Sequence, residues 1–341
     1  MKALSRLAIV AGAGLLLCSP AFAEPFSIGL WGDMPYAKGG DAPFIPALIE
    51  DMNASDIAFS IYDGDIKDGS SECTNKIYDD AMAMFNSMKA AVIYVPGDNE
   101  WTDCHRTNNG GWDNLERLTH IRTTMFKTPA TFGQEKITLE HQGEPGQKFA
   151  ENTRYSTNGA MFVGLNIPGS NNNMVVDEKD CTKKSARTPG QCEADNAEYK
   201  ERDAANIEWM KASFAKAKAE QDKGLMIVIQ GDLGFDVPET EDDDESRLAG
   251  KEGYAAFLDA LITETETFGG QVVLVHGDTH FFKVDKPLPN AFHMLPNFTR
   301  VQTFGSPNVH WIKVDVDAST RDVFTFRPMI VAANSKKSLS N

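Results

Sequence analysis

The sequence is short of basic charge. Its 341 residues hold 33 Lys and Arg against 49 Asp and Glu, a formal net charge of −16. Nucleic acids are gripped through surplus Lys and Arg on the phosphate backbone, so this balance argues against a nucleic-acid-binding module. An acidic chain that handles an anionic ligand needs a concentrated local positive charge, and a metal ion is the compact form of one. Also lacking is any long apolar run beyond residue 23. A membrane span needs about 20 consecutive apolar residues, so no membrane partner is expected. No internal repeat and no long linker divides the chain.

The first 23 residues have a basic start (Lys2, Arg6), an apolar stretch and the small-residue ending Ala21-Phe22-Ala23. These read as a secretory signal cut before Glu24, which would leave a secreted or periplasmic protein. Cys18 follows Leu17, where a lipobox wants a small residue, and is assigned to the discarded peptide. Removal of Lys2 and Arg6 would take the charge from −16 to −18. Four cysteines remain, Cys73, Cys104, Cys181 and Cys192, an even number in a compartment that permits disulfides. Two disulfides are expected.

Five short apolar runs each lead into Gly-Asp: "PFSIGLWGD", "DIAFSIYDGD", "AAVIYVPGDNE", "GLMIVIQGD" and "QVVLVHGDTH". They read as buried strands, while "APFIPALIEDMNAS", "IYDDAMAMFNSMKA", "NIEWMKASFAKAKAE" and "GYAAFLDALITETE" read as helices between or beside them. The pattern predicts an α/β sandwich in a single domain over residues 24–330, with 331–341 as a C-terminal tail. Segments 158–167 and 299–327 add strands that need not be parallel. In open α/β sheets the ligand crevice lies at the carboxyl ends of the strands. Asp33, Asp65, Asp98, Asp232 and Asp278 are therefore expected to converge. Carboxylates gathered at one edge repel each other and raise their own pKa values, so cations are the natural counter-charge. Each Gly-Asp taken singly is also an ordinary turn or helix cap.

The order of these strand ends resembles the calcineurin-like metallophosphoesterases, whose pattern is D-x-H, G-D-x-x-D, G-N-H, a lone His after a strand, and G-H-x-H. Here "GDMPY" supplies Asp33, "GDIKDG" supplies Asp65 and Asp68, and "GDNEW" supplies Asp98 and Asn99. "IVIQGD" supplies Gln230, and "GDTH" supplies Asp278 and His280. The sequence departs from the pattern at Pro35, Asn99, Gln230 and Asp278, each standing where the family has a histidine. What the resemblance implies is a four-layer α/β/β/α sandwich holding two divalent metal ions. The first would sit on Asp33, Asp65 and His280, and the second on Asp65, Asp98, Gln230 and Asp278, with Asp65 bridging. Oxygen donors in place of imidazoles favour Mn, Mg or Ca over Zn or Fe.

The implied reaction is hydrolysis of a small phosphorylated substrate, a monoester or a diester, by metal-activated water. Asn99 donates a hydrogen bond but delivers no proton near neutral pH, which leaves His105 in "TDCHR" as the candidate acid for the leaving group. Arg106 and Lys67 are candidates for substrate oxygens, and Arg suits bidentate phosphate contact better. Asn166 and Asn171 in "GLNIPGSNNN" are candidates to reach the crevice, while His276 is expected to pack or to orient its neighbours. "ETEDDDESR" reads as a solvated acidic loop. The resemblance also brings two motif loops to one edge, which pairs Cys73 with Cys104 and leaves Cys181 to close a local loop with Cys192. A reading of another class is a catalytically impaired metal-bound binding or structural protein on the same scaffold.

Overall fold

The protein is described from a computed structural model covering residues 24–235, 251–287 and 294–335. The expected signal segment, the acidic stretch 239–247 and residues 336–341 lie outside the described residues. Two sheets form the centre. The first has five strands in the order β12-β11-β1-β2-β3. They are β1 (Phe26–Trp31), β2 (Phe59–Tyr62), β3 (Ala91–Tyr94), β11 (Trp311–Val316) and β12 (Phe324–Met329). The second has seven in the order β4-β5-β6-β7-β8-β10-β9. These are β4 (Glu140–His141), β5 (Thr153–Thr157), β6 (Ala160–Gly164), β7 (Gly224–Val228), β8 (Gln271–His276), β9 (Lys283–Asp285) and β10 (Phe298–Gln302).

Alternate side chains on the central strands go to two different cores, which is why these strands read as unbroken apolar runs. Leu30, Ile61, Ile93, Phe162, Val228 and Val275 pack between the sheets. Trp31, Tyr62 and Tyr94 point outward beneath α1 (Ile45–Ala54), α2 (Asn75–Ser87) and α3 (Asn114–Met125). Val163, Ile227 and Leu274 point outward on the other side, beneath α6 (Pro189–Glu220) and α7 (Ala255–Thr267). The result is the expected four-layer α/β/β/α sandwich. Two short elements, α4 (Gly169–Asn172) and α5 (Glu178–Thr182), lie in the connection from β6 to α6.

The pairing directions decide where the site falls. β1, β2 and β3 are mutually parallel. So are β6, β7, β8 and β10. The carboxyl ends of both parallel sets therefore deliver their loops to one edge. The strand segments whose direction the sequence left open split: β6 and β10 join the parallel set, while β11 and β12 run antiparallel on the far side of β1. The periodic segment 206–220 is the apolar end of a 32-residue helix. Its polar first half starts at a capping box, with Gln191 N–H donating to Thr188 Oγ1 and Thr188 N–H donating to the Gln191 carboxamide.

Both disulfides have the expected partners. Cys73–Cys104 ties the loop after β2 to the turn after β3. Cys181–Cys192 closes the loop between α5 and α6.

Candidate functional site

Asp33, Asp65, Asp278 and His280 each follow a parallel strand, and all four have left-handed backbone, with φ of 50°, 63°, 67° and 62°. That conformation turns the chain back across the strand end, and for a residue with a β-carbon it is strained. Long-range contacts enforce it. Asp33 N–H donates to Gly64 O at 2.8 Å, Asp278 N–H to Asp33 Oδ1 at 3.1 Å, and Asp65 N–H to Glu100 Oε1 at 3.1 Å. Two glycines let the loops close. A β-carbon on Gly277 would lie 1.9 Å from Asp33 Oδ2, and one on Gly169 would lie 2.8 Å from Asp98 Oδ2 and 2.9 Å from Asp278 Oδ1.

The carboxylates are buried and tied to one another through polar neighbours. Asp65 Oδ2 accepts from the Tyr36 hydroxyl at 2.6 Å and from Asn99 Nδ2 at 2.5 Å, and Asp65 Oδ1 accepts from Asn99 N–H. His280 sits 3.3 Å from Asp33 Oδ1, and its Nδ1 meets Ser306 O at 2.8 Å. Asp98 Oδ2 accepts from Ser170 Oγ at 2.7 Å. Asp232 N–H donates to Asp278 Oδ2 at 3.3 Å. Asp33, Asp65, Asp98 and Asp278, expected together, thus lie at one edge, with Asp278 N–H donating to Asp33 and the loops after β1, β2, β3, β6, β7, β8 and β10 all contributing hydrogen-bond partners.

Electrostatics follow from the crowding. Burial, then the charges of Asp98 and Asp33, push Asp278 up to about 8. Burial, then Asp98 and Glu100, push Asp65 well above the carboxylate range. Asp103, buried beside Asp98, is pushed up to about 7. Burial opposes the charged form of His280, yet the hydrogen bond and charge of Asp33 raise its pKa to about 9. Asp33 Oδ2 and Asp98 Oδ1 are buried without a hydrogen-bond partner. Oxygen donors in this state fit a hard cation. Among the described residues, no group of three or more His, Cys, Asp or Glu side chains is arranged to hold a metal ion as they stand.

Several expected residues behave differently in detail. Gln230 Oε1 accepts from Gly169 N–H at 2.6 Å and from Asp98 N–H at 3.3 Å, so the oxygen expected to face a cation is engaged with backbone. The amide nitrogen left over has no lone pair to offer. His105 Nδ1 is 2.7 Å from Thr102 O, none of the ring's hydrogen bonds reaches the carboxylates, and burial followed by the charge of Arg187 pulls its pKa down to about 4. Lys67 is buried at 4% exposure and donates to Asp68 O at 3.0 Å. It is an internal counter-charge whose pKa burial lowers against the pull of Asp65, Asp103, Glu100 and Asp68. Arg106 lies at the rim, paired with Asp103 and 3.3 Å from Ser170 Oγ.

Asp68 turns to Ser70 and Ser71 of its own loop and to Lys38 N–H of the loop after β1, and these hydrogen bonds outweigh burial and hold it at about 2. Asn166 faces Glu151 and Asn152, away from the carboxylates, and Asn171 faces Gly253 and Met174. His276 packs inside the fold beside Arg300, as expected.

Four residues at the edge escaped the sequence reading. Tyr36 joins Asp65, Asn99 and His280, the last at 3.4 Å. Glu100 lies beneath Asp65, and Asp63 accepts from Thr303 Oγ1 at 2.7 Å. Ser170 bridges Asp98 and Asp103 at 2.7 Å each. Ser170 belongs to a run of left-handed residues through Asn173, a conformation that asparagine tolerates better than most. The "SNNN" run was the available signal.

No family model matches the sequence. No curated protein matches it either. Among solved structures the chain is similar to PhoD, with 10% identity and a TM-score of 0.53, covering 88% of this chain and 66% of that one. Similarity to the purple acid phosphatase PPD1 from yellow lupin (Lupinus luteus) seeds is 13% in identity with a TM-score of 0.48, over 91% of this chain and 54% of that one. For the sulfate thiohydrolase SoxB of Thermus thermophilus the values are 13% and 0.40, over 85% of this chain and 42% of that one. The chain thus spans less than two thirds of each. At such identity the likeness is one of fold, and PhoD carries it: the two chains share the four-layer α/β/β/α sandwich.

Proposed function

We propose that this chain is an exported, metal-dependent phosphoesterase that hydrolyses phosphomonoesters or phosphodiesters at the edge where its parallel strands end. The carrying observation is the set of strained strand ends. Left-handed backbone is sparsely populated by residues with a β-carbon, although Asp and His adopt it more readily than most. Here it recurs at Asp33, Asp65, Asp278 and His280, beside buried oxygens of Asp33 and Asp98 that lack partners. Strain gathered around uncompensated carboxylates is better explained by a ligand than by stability.

Asp33, Asp65, Asp98, Asp278 and His280 would hold two divalent cations, with Mn, Mg or Ca favoured over Zn or Fe by the oxygen-rich set. Bound there, the cations would supply positive charge for the phosphoryl oxygens and lower the pKa of an attacking water. The remaining work falls to the chain. Gln230 acts as a strut that fixes the Asp98 and Gly169 backbone. Tyr36 and Asn99 set the direction of Asp65 Oδ2. Arg106, with 27% of its side chain exposed at the rim, would meet a phosphoryl oxygen. Asn99, where the family pattern has its histidine, donates a hydrogen bond but delivers no proton to the leaving group, so substrates with good leaving groups should react fastest.

A catalytically impaired metal-bound binding or structural protein is the second reading. What favours it is Asn99, which is hydrogen-bonded to Asp65 and stands where the family pattern has its histidine without being able to deliver a proton. Hydrolysis of p-nitrophenyl phosphate and bis-p-nitrophenyl phosphate with added Mn²⁺, Mg²⁺ or Ca²⁺ separates the two. Turnover that vanishes in Asp65→Asn is expected. Turnover no higher than in that variant, with every metal, would favour the binding protein.

A further inference from the structure

The loop closed by Cys181–Cys192 is not used by the proposed chemistry, yet it is fastened to the site. Thr107 N–H donates to Lys184 O at 2.9 Å and Ser185 Oγ to His105 O at 3.1 Å. Arg106 and Ser185 form an antiparallel bridge. Between this loop and the turn at 102–106 lies a cavity of about 260 Å³, lined by Arg106, Lys183, Lys184, Arg187 and Ser170 among others. Ser170 Oγ is also 2.7 Å from Asp98 Oδ2, so the cavity opens beside the candidate cation site. Lys184 lines in addition the adjoining cleft of about 870 Å³ that contains Tyr36 and Asp68.

The positive charge here runs against the chain's net −16. Arg187 is fixed by Asp195 at 2.7 Å and by Cys181 O at 3.0 Å, and Arg106 is paired with Asp103. Asp180, the other carboxylate in the wall, accepts from Val176 N–H at 3.1 Å. Lys183 and Lys184 are exposed, and neither ammonium has an ion-pair partner among the described residues. A disulfide-restrained loop that holds two uncommitted lysines over a cavity is pre-organised for an anion, and Arg106, Lys183, Lys184 and Arg187 against Asp103 and Asp180 leave a local positive excess that raises the concentration of anions there.

We propose that this cavity is a subsite for a second phosphate, so that the preferred substrates are phosphoesters whose leaving group carries another phosphate. The proposal rests on the phosphoesterase reading for the word substrate, while the anion site itself stands on the loop alone. Its test is calorimetric titration of the full chain with a four-carbon bisphosphonate and with methylphosphonate, neither of which can be hydrolysed. The wild type should bind the bisphosphonate about tenfold more tightly than methylphosphonate, a preference the size of two modest charge contacts. Lys183→Ala/Lys184→Ala should erase the preference, and Lys183→Arg/Lys184→Arg should keep it. Equal binding of the two phosphonates by the wild type, no binding of either, or a preference that survives the alanine pair would overturn the proposal. Absence of turnover on every phosphoester with the binding preference intact would instead sink the hydrolase and leave the subsite standing.

Discussion

Glu100 is the residue through which the site can be loosened without touching its surface. It is 1% exposed, and its Oε1 accepts from Gly97 N–H at 2.7 Å, the Tyr94 hydroxyl at 2.9 Å and Asp65 N–H at 3.1 Å. Burial raises its pKa, and Oε2 is without a partner. Glu100→Ala strands three buried donors at about 1–3 kcal/mol each and opens a cavity. Partial relaxation brings the expected loss to about 3–5 kcal/mol. Glu100→Gln keeps the accepting oxygen for all three donors and should stay within about 1 kcal/mol of the wild type. Urea unfolding followed by circular dichroism, at constant m-value, reads both changes. Glu100→Ala within about 1 kcal/mol of the wild type, or Glu100→Gln as unstable as Glu100→Ala, would refute the claim that this carboxylate braces Asp65.

Three further outcomes are expected. His105→Ala should leave turnover of alkyl and aryl phosphates within about twofold, because its ring is tied to Thr102 and held neutral; a loss of about a hundredfold or more would restore it as the general acid. Burial raises Asp203 to about 6, so the folded state binds more protons than the unfolded one between the unfolded pKa and that value. Its contribution to stability is present at low pH and is lost as pH rises through about 6, so Asp203→Asn should be stabilising at pH 7 by roughly 1–2 kcal/mol; a stability difference independent of pH would contradict this. Cys73→Ala/Cys104→Ala removes a link across a sequence separation of 31 and should lower stability by about 3–4 kcal/mol, with unchanged urea midpoints counting against it.

The parts of the fold legible in the sequence are those in which one signal served two purposes. The central strands are buried on both faces, so they stood out as apolar runs, and each had to reverse at its end, so Gly-Asp marked the edge. The strand directions followed for β1 to β3 and β7 to β8. Residues whose role depends on distant partners stayed hidden. Tyr36 reaches Asp65, 29 positions away, and Glu100 braces Asp65 from 35 positions away. Lys67 looked like a loop cation and is buried among acids. Gln230 looked like a ligand, yet the two backbone N–H groups that claim its oxygen come from loops after β3 and β6. Helix α3 escaped because its buried face includes Asn114, Arg117 and Arg122, which an apolar periodicity does not reveal.

The central claim is that the carboxylate edge holds divalent cations, and the direct measurement is a Mn²⁺ titration of the metal-stripped protein followed by electron paramagnetic resonance. The account predicts saturable binding of two Mn²⁺ per chain in the wild type. It predicts loss of that binding in Asp65→Asn, with Asp68→Asn still binding because Asp68 is committed to its own loop. Binding absent from the wild type, or present and undiminished in Asp65→Asn, would contradict it.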